Sequence, residues 1–490
     1  MDFTELSPAA LAPLWRHFQT LCAIPRPSKF EGPLREALQT WAAARGLQTV
    51  IDKAGNLIIR KPASAGREHY PGAILQGHLD MVCQKNSGTG HDFHKDPIRP
   101  LLKDGWLIAE DTTLGADNGI GVALALAILE ADGLEHPPLE VLLTVDEEAG
   151  MGGAMGLAPG QLQGRNLINL DTEEWGLLYV GCAGGIDVNV TCATASEPLP
   201  TGWSTVQLAL TGLTGGHSGV DIHLGRGNAI KLLVRALREL PAGLTSDWRL
   251  VGLAGGTARN ALPREAFASL AVAPAKLGDM QAALARSAAD MMREFDGIES
   301  GLSLRITEAP EPAASVMTAE HQSRLLAALN AAPHGVKGMS RSVPGVVETS
   351  NSLGVLTMTD GVVQANFMVR SLVDSQALAH ARQIADLFSL IGAECILSDG
   401  YPGWKPNPES PLLALAHRAY ASEFGAAAAV QVIHAGLECG IIGAKYPGLD
   451  MISFGPTIHG AHAPGERVEI RSVERSWQLL TAILAALPAD

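Results

Sequence analysis

Apolar positions recur every three or four residues over 8–24 and 31–46, the spacing of two amphipathic helices. Pro25 and Pro27 break the chain between them. Four short apolar runs follow, at 56–60, 72–76, 140–145 and 166–170. They are continuous rather than alternating and rich in Ile, Leu and Val, which predicts strands covered on both faces. Between the second and third lies 118–131, apolar over a length that predicts a helix. Strands alternating with helices predict an α/β domain with a largely parallel sheet.

After about residue 186 the texture changes. Strand-like stretches at 205–210, 302–306 and 361–369 alternate with amphipathic helices at 228–239, 277–295 and 375–392, and metal-ligand residue clusters disappear. Pro402, Pro406 and Pro408 then mark a linker, beyond which clusters of His, Glu and Gly return. The economical organisation is one domain split by another. Residues 1–186 and 399–490 form the catalytic domain, and 187–398 form the insert. No internal repeat is visible, although an insert of about 200 residues has room for two similar halves.

A chain of 490 residues exceeds one ordinary domain. Apolar residues make up 47% and aromatics only 5%, so Leu, Val, Ile and Ala build the cores. Lys and Arg number 36 against 51 Asp and Glu, a net charge of −15. That balance, without a basic run, argues against nucleic acid and anionic membranes as partners. The start, Met1-Asp2-Phe3-Thr4-Glu5, lacks the pattern of a signal peptide. The longest apolar run, 120–129, falls short of the ~20 residues of a membrane span. Six scattered cysteines without a C-x-x-C pair predict reduced thiols in a cytoplasmic protein.

Five apolar runs end in polar clusters: Gly77-His78-Leu79-Asp80, Gly115-Ala116-Asp117-Asn118, Asp146-Glu147-Glu148, Asp171-Thr172-Glu173-Glu174 and His459-Gly460-Ala461-His462. Ligands of open α/β sheets collect at the carboxyl ends of strands, so residues far apart in sequence have a place to converge. His78 and Asp80, two apart in extended chain, project to one side. The pair fits a metal-binding imidazole steadied by a carboxylate, or a polar strand end at the surface. Asp117 taken alone fits a helix cap. Asp146-Glu147-Glu148 fits a solvated loop or a ligand beside a general base, since metal-assisted hydrolysis needs both. Histidines and carboxylates without thiolates favour zinc, manganese or cobalt over a cysteine-rich structural site. No H-E-x-x-H, G-x-S-x-G, G-x-x-x-x-G-K-[ST] or G-x-G-x-x-G competes.

Taken in order, Leu75-Gln76-Gly77-His78-Leu79-Asp80-Met81-Val82, Thr112-Thr113-Leu114-Gly115-Ala116-Asp117-Asn118-Gly119, Asp146-Glu147-Glu148 and Asn169-Leu170-Asp171 resemble the aminoacyl-histidine dipeptidases, the peptidase D or cytosol non-specific dipeptidase group of dinuclear zinc exopeptidases. Gly215-Gly216-His217-Ser218-Gly219 and His462-Ala463-Pro464-Gly465-Glu466 extend the likeness over nearly the whole chain. The resemblance implies a mixed, largely parallel-sheet α/β catalytic domain with a smaller inserted α+β lid domain of ferredoxin-like type. It implies two zinc ions per subunit, with manganese or cobalt as alternatives. His78 and Asp171 would bind one ion, Glu148 and His462 the other, and Asp117 would bridge them. Asp80 would orient His78. Glu147 would be the general base, taking a proton from the water between the ions and passing it to the leaving amine.

The last motif departs from the group's usual His-Ser-Pro-Asp-Glu, with Ala463 and Gly465 in place of Ser and Asp. His459 is the rival ligand, and Pro464 and Glu466 favour His462 by spacing. By the same resemblance His217 stabilises the transition-state oxyanion, often from a partner subunit. Asn260 and Arg370 hold the substrate carboxylate, and His434, in Ile433-His434-Ala435-Gly436-Leu437-Glu438-Cys439-Gly440, shapes the substrate pocket. His91 and His94 belong to a polar loop. The implied activity is hydrolysis of dipeptides, particularly Xaa-His of carnosine type, by a homodimer. Deacylation of acyl-amino acids on the same site is the alternative, and a non-catalytic binding protein on this fold is a more distant one.

Overall fold

The computed structural model describes residues 3, 6 and 8–489, apart from 310–312, 342 and 399. Of the acidic start 1–5, only Phe3 lies within the described residues. The chain divides into two compact units. Unit 1 holds Met1–Gly181, Trp404–Val432 and Leu437–Asp490, and unit 2 holds Cys182–Gly403 with the short return segment Ile433–Gly436.

Unit 1 is built on an eight-stranded sheet. Its centre is parallel, in the order Leu139–Thr144, Ala73–His78, Asn166–Asn169, Asp450–Ser453. Leu57–Lys61 and then Gln48–Ile51 add antiparallel on one side. Leu177–Cys182 and Ala429–Ile433 complete the other. Every residue of Ala73–His78 and of Leu139–Thr144 is buried, which is why these strands carry continuous apolar runs. The sheet is therefore mixed and largely parallel, and the chain is α/β here as its pattern implies.

Helix Ala116–Glu130 is apolar on all sides, and of 116–129 only Asp117 escapes full burial, as befits a helix enclosed by other elements. It packs between the sheet and helix Ala12–Ala23. A Cβ on Gly121 would stand 2.2 Å from the Leu170 carbonyl oxygen. Only glycine lets the helix approach so closely to the strand end that carries Asp171. Asn118 fills that junction: its Oδ1 accepts the His78 N–H at 3.2 Å and its Nδ2 donates to the Leu170 carbonyl at 2.6 Å.

Unit 2 is α+β: its described residues form a nine-stranded antiparallel sheet with four long helices. Ser204–Thr211 shows the alternating burial of a sheet with one covered face. The element order resolves into two βαββαβ halves. One half runs Ser204–Thr211, helix Ala229–Arg238, Trp248–Gly255, Ala266–Val272, helix Leu277–Glu294, Ser303–Glu308. The other uses Gly184–Ala193, helix Ala319–Ala331, Val347–Thr359, Val362–Ser371, helix Asp374–Ser389, Glu394–Leu397. The ferredoxin-like expectation thus holds twice over. The first half is inserted in the second, and their sheets join where Trp248–Gly255 meets Val347–Thr359.

None of the six cysteines forms a disulfide. No helix among the described residues is long and apolar enough to cross a membrane. Leu142 is fully buried in the sheet of unit 1. Leu142→Ala should destabilise that unit by about 2–5 kcal/mol, read as a lower midpoint in chemical denaturation.

Candidate metal centre

The carboxyl ends of the parallel strands supply the centre. His78 ends one strand, Glu147 and Glu148 follow Leu139–Thr144, and Asp171 follows Asn166–Asn169. Asp117 sits in a non-helical turn at the head of the long helix, and its carboxylate bonds His78 and His462 rather than a backbone N–H. The capping reading therefore gives way: Glu466 accepts the N–H groups of 114–117, and the Asp117 carboxylate turns to two histidines instead.

The two oxygens of Asp117 face different partners. Oδ1 lies 3.2 Å from His78 Nε2, which is 3.3 Å from Asp171 Oδ1. Oδ2 lies 3.1 Å from His462 Nε2, which is also 3.1 Å from Glu148 Oε2. Two His–carboxylate groups thus share one carboxylate. His459 goes elsewhere. It pairs with Arg467 in a small antiparallel sheet, and its ring packs at a tilt against Trp106, 4.9 Å between centroids.

Asp80 does more than face an imidazole. Its Oδ1 lies 3.4 Å from His78 Nδ1 and accepts the Glu147 N–H at 3.0 Å. Its Oδ2 accepts the Glu148 N–H at 3.1 Å and the Ser28 hydroxyl at 2.7 Å. One buried carboxylate thereby fixes a histidine and the turn carrying two glutamates. Beneath it Arg26, 1% exposed, donates to the carbonyls of Leu79 at 2.9 Å, Asp80 at 2.8 Å and Gly115 at 2.5 Å. A further buried network lies behind the strands. Gln76 and Thr144 each donate to Glu438 Oε2 at 2.6 Å, and Asn169 and Ser453 continue the chain of bonds from Gln76. Arg26 did not stand out in sequence, and Glu438 appeared only within the 433–440 motif with no role of its own, because a residue's identity does not reveal partners far away in the chain. The prolines on both sides of Arg26 are the one local hint that its loop is held rigid.

Charges this close perturb one another. Burial lowers His78, but Asp171, Asp117 and Asp80 outweigh it and raise its pKa well above the ordinary range. Hydrogen bonds from His462 to Asp117 and Glu148 raise that imidazole to about 11. Burial raises Asp171 to about 7, against the pull of His78. Burial likewise lifts Glu147 well above the usual carboxylate range. A centre that draws protons so strongly suits a divalent cation, which competes for the same lone pairs. His78, Asp117 and Glu148 offer ligand atoms all within 4.8 Å of one another. Glu148 Oε1 is buried without a hydrogen-bond partner among the described residues, leaving a lone-pair donor to spare. The donor set fits divalent metal.

The remaining candidates gather within unit 2. His217 Nδ1 accepts the N–H groups of Gly219 at 3.2 Å and Val220 at 2.9 Å, and Arg370 Nη2 lies 3.5 Å from its Nε2. Burial and Arg370 lower its pKa to about 4, which favours the neutral imidazole. Arg370 is only 3% exposed, and it donates to the Tyr401 hydroxyl at 2.9 Å. His434, pushed down to about 3 by burial and by Arg370, bonds Ser350 through Nε2 at 2.7 Å. Its backbone carbonyl would stand 2.0 Å from a Cβ on Gly219, a contact only glycine permits. Asn260 has an exposed side chain, and its carbonyl accepts the Ser218 N–H at 2.8 Å.

With this geometry in hand, residues 74–486 match peptidase family M20/M25/M40. The chain belongs to that family. It is 46% identical over 486 residues to the cytosol non-specific dipeptidase of Escherichia coli K12, covering 99% of this chain and 100% of that one. The crystal structure of aminoacylhistidine dipeptidase from Vibrio alginolyticus superposes with a TM-score of 0.89 at 44% identity, covering 100% and 99% of the two chains. Aminopeptidase PepT from Bacillus cereus shares the fold at 17% identity and a TM-score of 0.55, over 96% and 97%.

His462→Ala should lower the metal retained per chain after chelation and reloading, whereas His459→Ala should retain as much as the native protein. Elemental analysis of the two variants checks this, and the reverse result would exchange the two histidines.

Proposed function

We propose that this chain is a metal-dependent dipeptidase acting on small peptides, particularly Xaa-His dipeptides, through a pair of zinc ions. The observation that carries the reading is the Asp117 carboxylate, whose two oxygens face two histidines that each have a second carboxylate partner. Two relatives above 40% identity over full length are named dipeptidases, which supports the substrate class. His78 and Asp171 would hold one ion, Glu148 and His462 the other, with Asp117 shared. The chemistry such a pair supplies is acidification of water and polarisation of the scissile carbonyl.

The chain's own residues then complete hydrolysis. Glu147 takes a proton from the attacking water on its carboxylate, as the water oxygen bonds to the carbonyl carbon. It returns that proton to the amide nitrogen as the C–N bond breaks. Burial favours its protonated form, which suits a group that must hold the proton between the two transfers. Asp80, holding the Glu147 and Glu148 N–H groups, keeps the base and a ligand at fixed separation. His217 is suited to stabilise an oxyanion, and Arg370 and Asn260 suit a peptide carboxylate, with His434 shaping their surroundings. We further read the protein as a cytoplasmic homodimer, the state expected of the dipeptidase group.

Release of histidine from carnosine-like dipeptides, without release of acyl groups from acylated amino acids, is the expected assay result. The opposite selectivity would make it an amidohydrolase, and no turnover of either after zinc or manganese loading would sink the enzyme reading. Glu147→Gln should lower kcat by about 100- to 10,000-fold while metal content stays native, because a carboxamide cannot take the proton. Wild-type turnover in that variant would remove Glu147 from the mechanism.

A further inference from the structure

Glu466 is a buried carboxylate, 2% exposed, without a cationic side chain bonded to it among the described residues. Four backbone N–H groups take that place. Oε2 accepts from Leu114 at 2.7 Å and Gly115 at 2.9 Å, and Oε1 accepts from Ala116 at 2.8 Å and Asp117 at 3.3 Å. These donors belong to the non-helical turn that leads into the long helix, and four N–H groups converging on one carboxylate favour its negative charge. The main chain of Glu466 is fixed as well: Ala109 N–H donates to its carbonyl at 3.1 Å, and Gly465 N–H donates to the Ala109 carbonyl at 2.9 Å.

The two ends of this arrangement are both ligand segments. Glu466 closes the turn that begins at Gly460 and carries His462, held by Ala463 N–H to the Gly460 carbonyl at 3.2 Å and Glu466 N–H to the Ala463 carbonyl at 3.2 Å. Its carboxylate grips the turn that carries Asp117. His462 and Asp117 lie 345 positions apart in sequence. The Gly465 N–H also reaches the carbonyls of Ala109 at 2.9 Å and Thr112 at 3.4 Å, but the Glu466 carboxylate is the group that bonds the 114–117 turn itself.

We propose that Glu466 is a positioning residue that pre-aligns His462 with Asp117, so that both ligand turns stand ready before metal arrives. The inference rests on the dinuclear reading above and deepens it. Orienting partners behind a metal ligand are worth about 10- to 100-fold in metal affinity or activity. Glu466→Gln turns one acceptor into an NH2 facing N–H donors, so at least two of the four bonds are lost.

The test is a competition titration of zinc against a chelating indicator, with the cobalt absorption spectrum as a second reading. Glu466→Gln should bind metal about 10- to 100-fold more weakly and show an altered cobalt spectrum while remaining folded. At saturating metal, kcat should fall with KM little changed. Glu466→Asp keeps the charge on a shorter arm, so it should recover part of the affinity. If Glu466→Gln does not fold, Glu466→Asp against wild type carries the comparison. Glu140→Gln is the control for a merely structural loss. Glu140 is a comparably buried carboxylate, 5% exposed, that accepts the N–H groups of Gln163 at 2.7 Å and Gly164 at 2.9 Å, near the strand end remote from Glu147. It should lower the unfolding midpoint and leave metal affinity alone. Folded Glu466 variants that bind metal as tightly as wild type would overturn the proposal. So would a Glu140→Gln protein that loses as much affinity. Wild-type protein that binds metal but cleaves no dipeptide would sink the activity reading and leave the affinity comparison to decide this one. Wild-type protein that binds no divalent metal would sink both.

Discussion

Negative charge held out of water is the condition everything in unit 1 answers to. Asp80, Asp117, Glu148 and Asp171 crowd two imidazoles, and buried carboxylates at such separations are tolerable only when each finds a donor or a cation. The fold supplies the donors in layers. Asp80 is met by two peptide N–H groups, a hydroxyl and His78, and the turn leading into the long apolar helix is met by Glu466. Arg26 lies below the loop that joins them. What these layers leave over is the set of lone pairs around Asp117, and that remainder defines the metal-binding capacity of the centre.

Much of this was legible before any coordinates. Continuous Ile, Leu and Val runs ending in His78, Asp146-Glu147-Glu148 and Asp171 carry two facts at once, a strand buried on both faces and a polar cluster at its carboxyl end. The structure brings those clusters together with Asp117 and His462. Asp117 was the ambiguous case, because an aspartate just inside a helix looks the same in sequence whether it caps or coordinates. The N–H groups of the turn that holds Asp117 are instead accepted by a glutamate 349 positions later. Such a swap of duties is invisible to local pattern.

The duplicated architecture of unit 2 was hidden for a different reason. Its two βαββαβ halves share an order of elements and no evident sequence repeat, and one half interrupts the other, so no fixed period exists to detect. Physical needs of a half-covered antiparallel sheet constrain which positions are apolar, not which apolar residue is used. The segment Ile433–Gly436 posed a similar difficulty. Four residues leave unit 1 to join unit 2 and return, held by the Ala183 N–H bonding the carbonyls of Ile433 and Ala435. Only the pairing partner, 250 residues earlier, gives that excursion away.

The strand Asp450–Ser453 lies inside the sheet of unit 1, between Asn166–Asn169 and Leu177–Cys182, rather than at its border. A ribosome making this chain therefore releases most of the protein before the gap in that sheet is filled. The same late stretch brings His462 and Glu466. Unit 2 has nearly all of its own strands by then and is free to fold first. Of the candidate ligands His462 is the last in the chain, and a product cut short before residue 450 would carry His78, Asp117 and Asp171 on a sheet lacking an inner strand, without His462 beside Asp117.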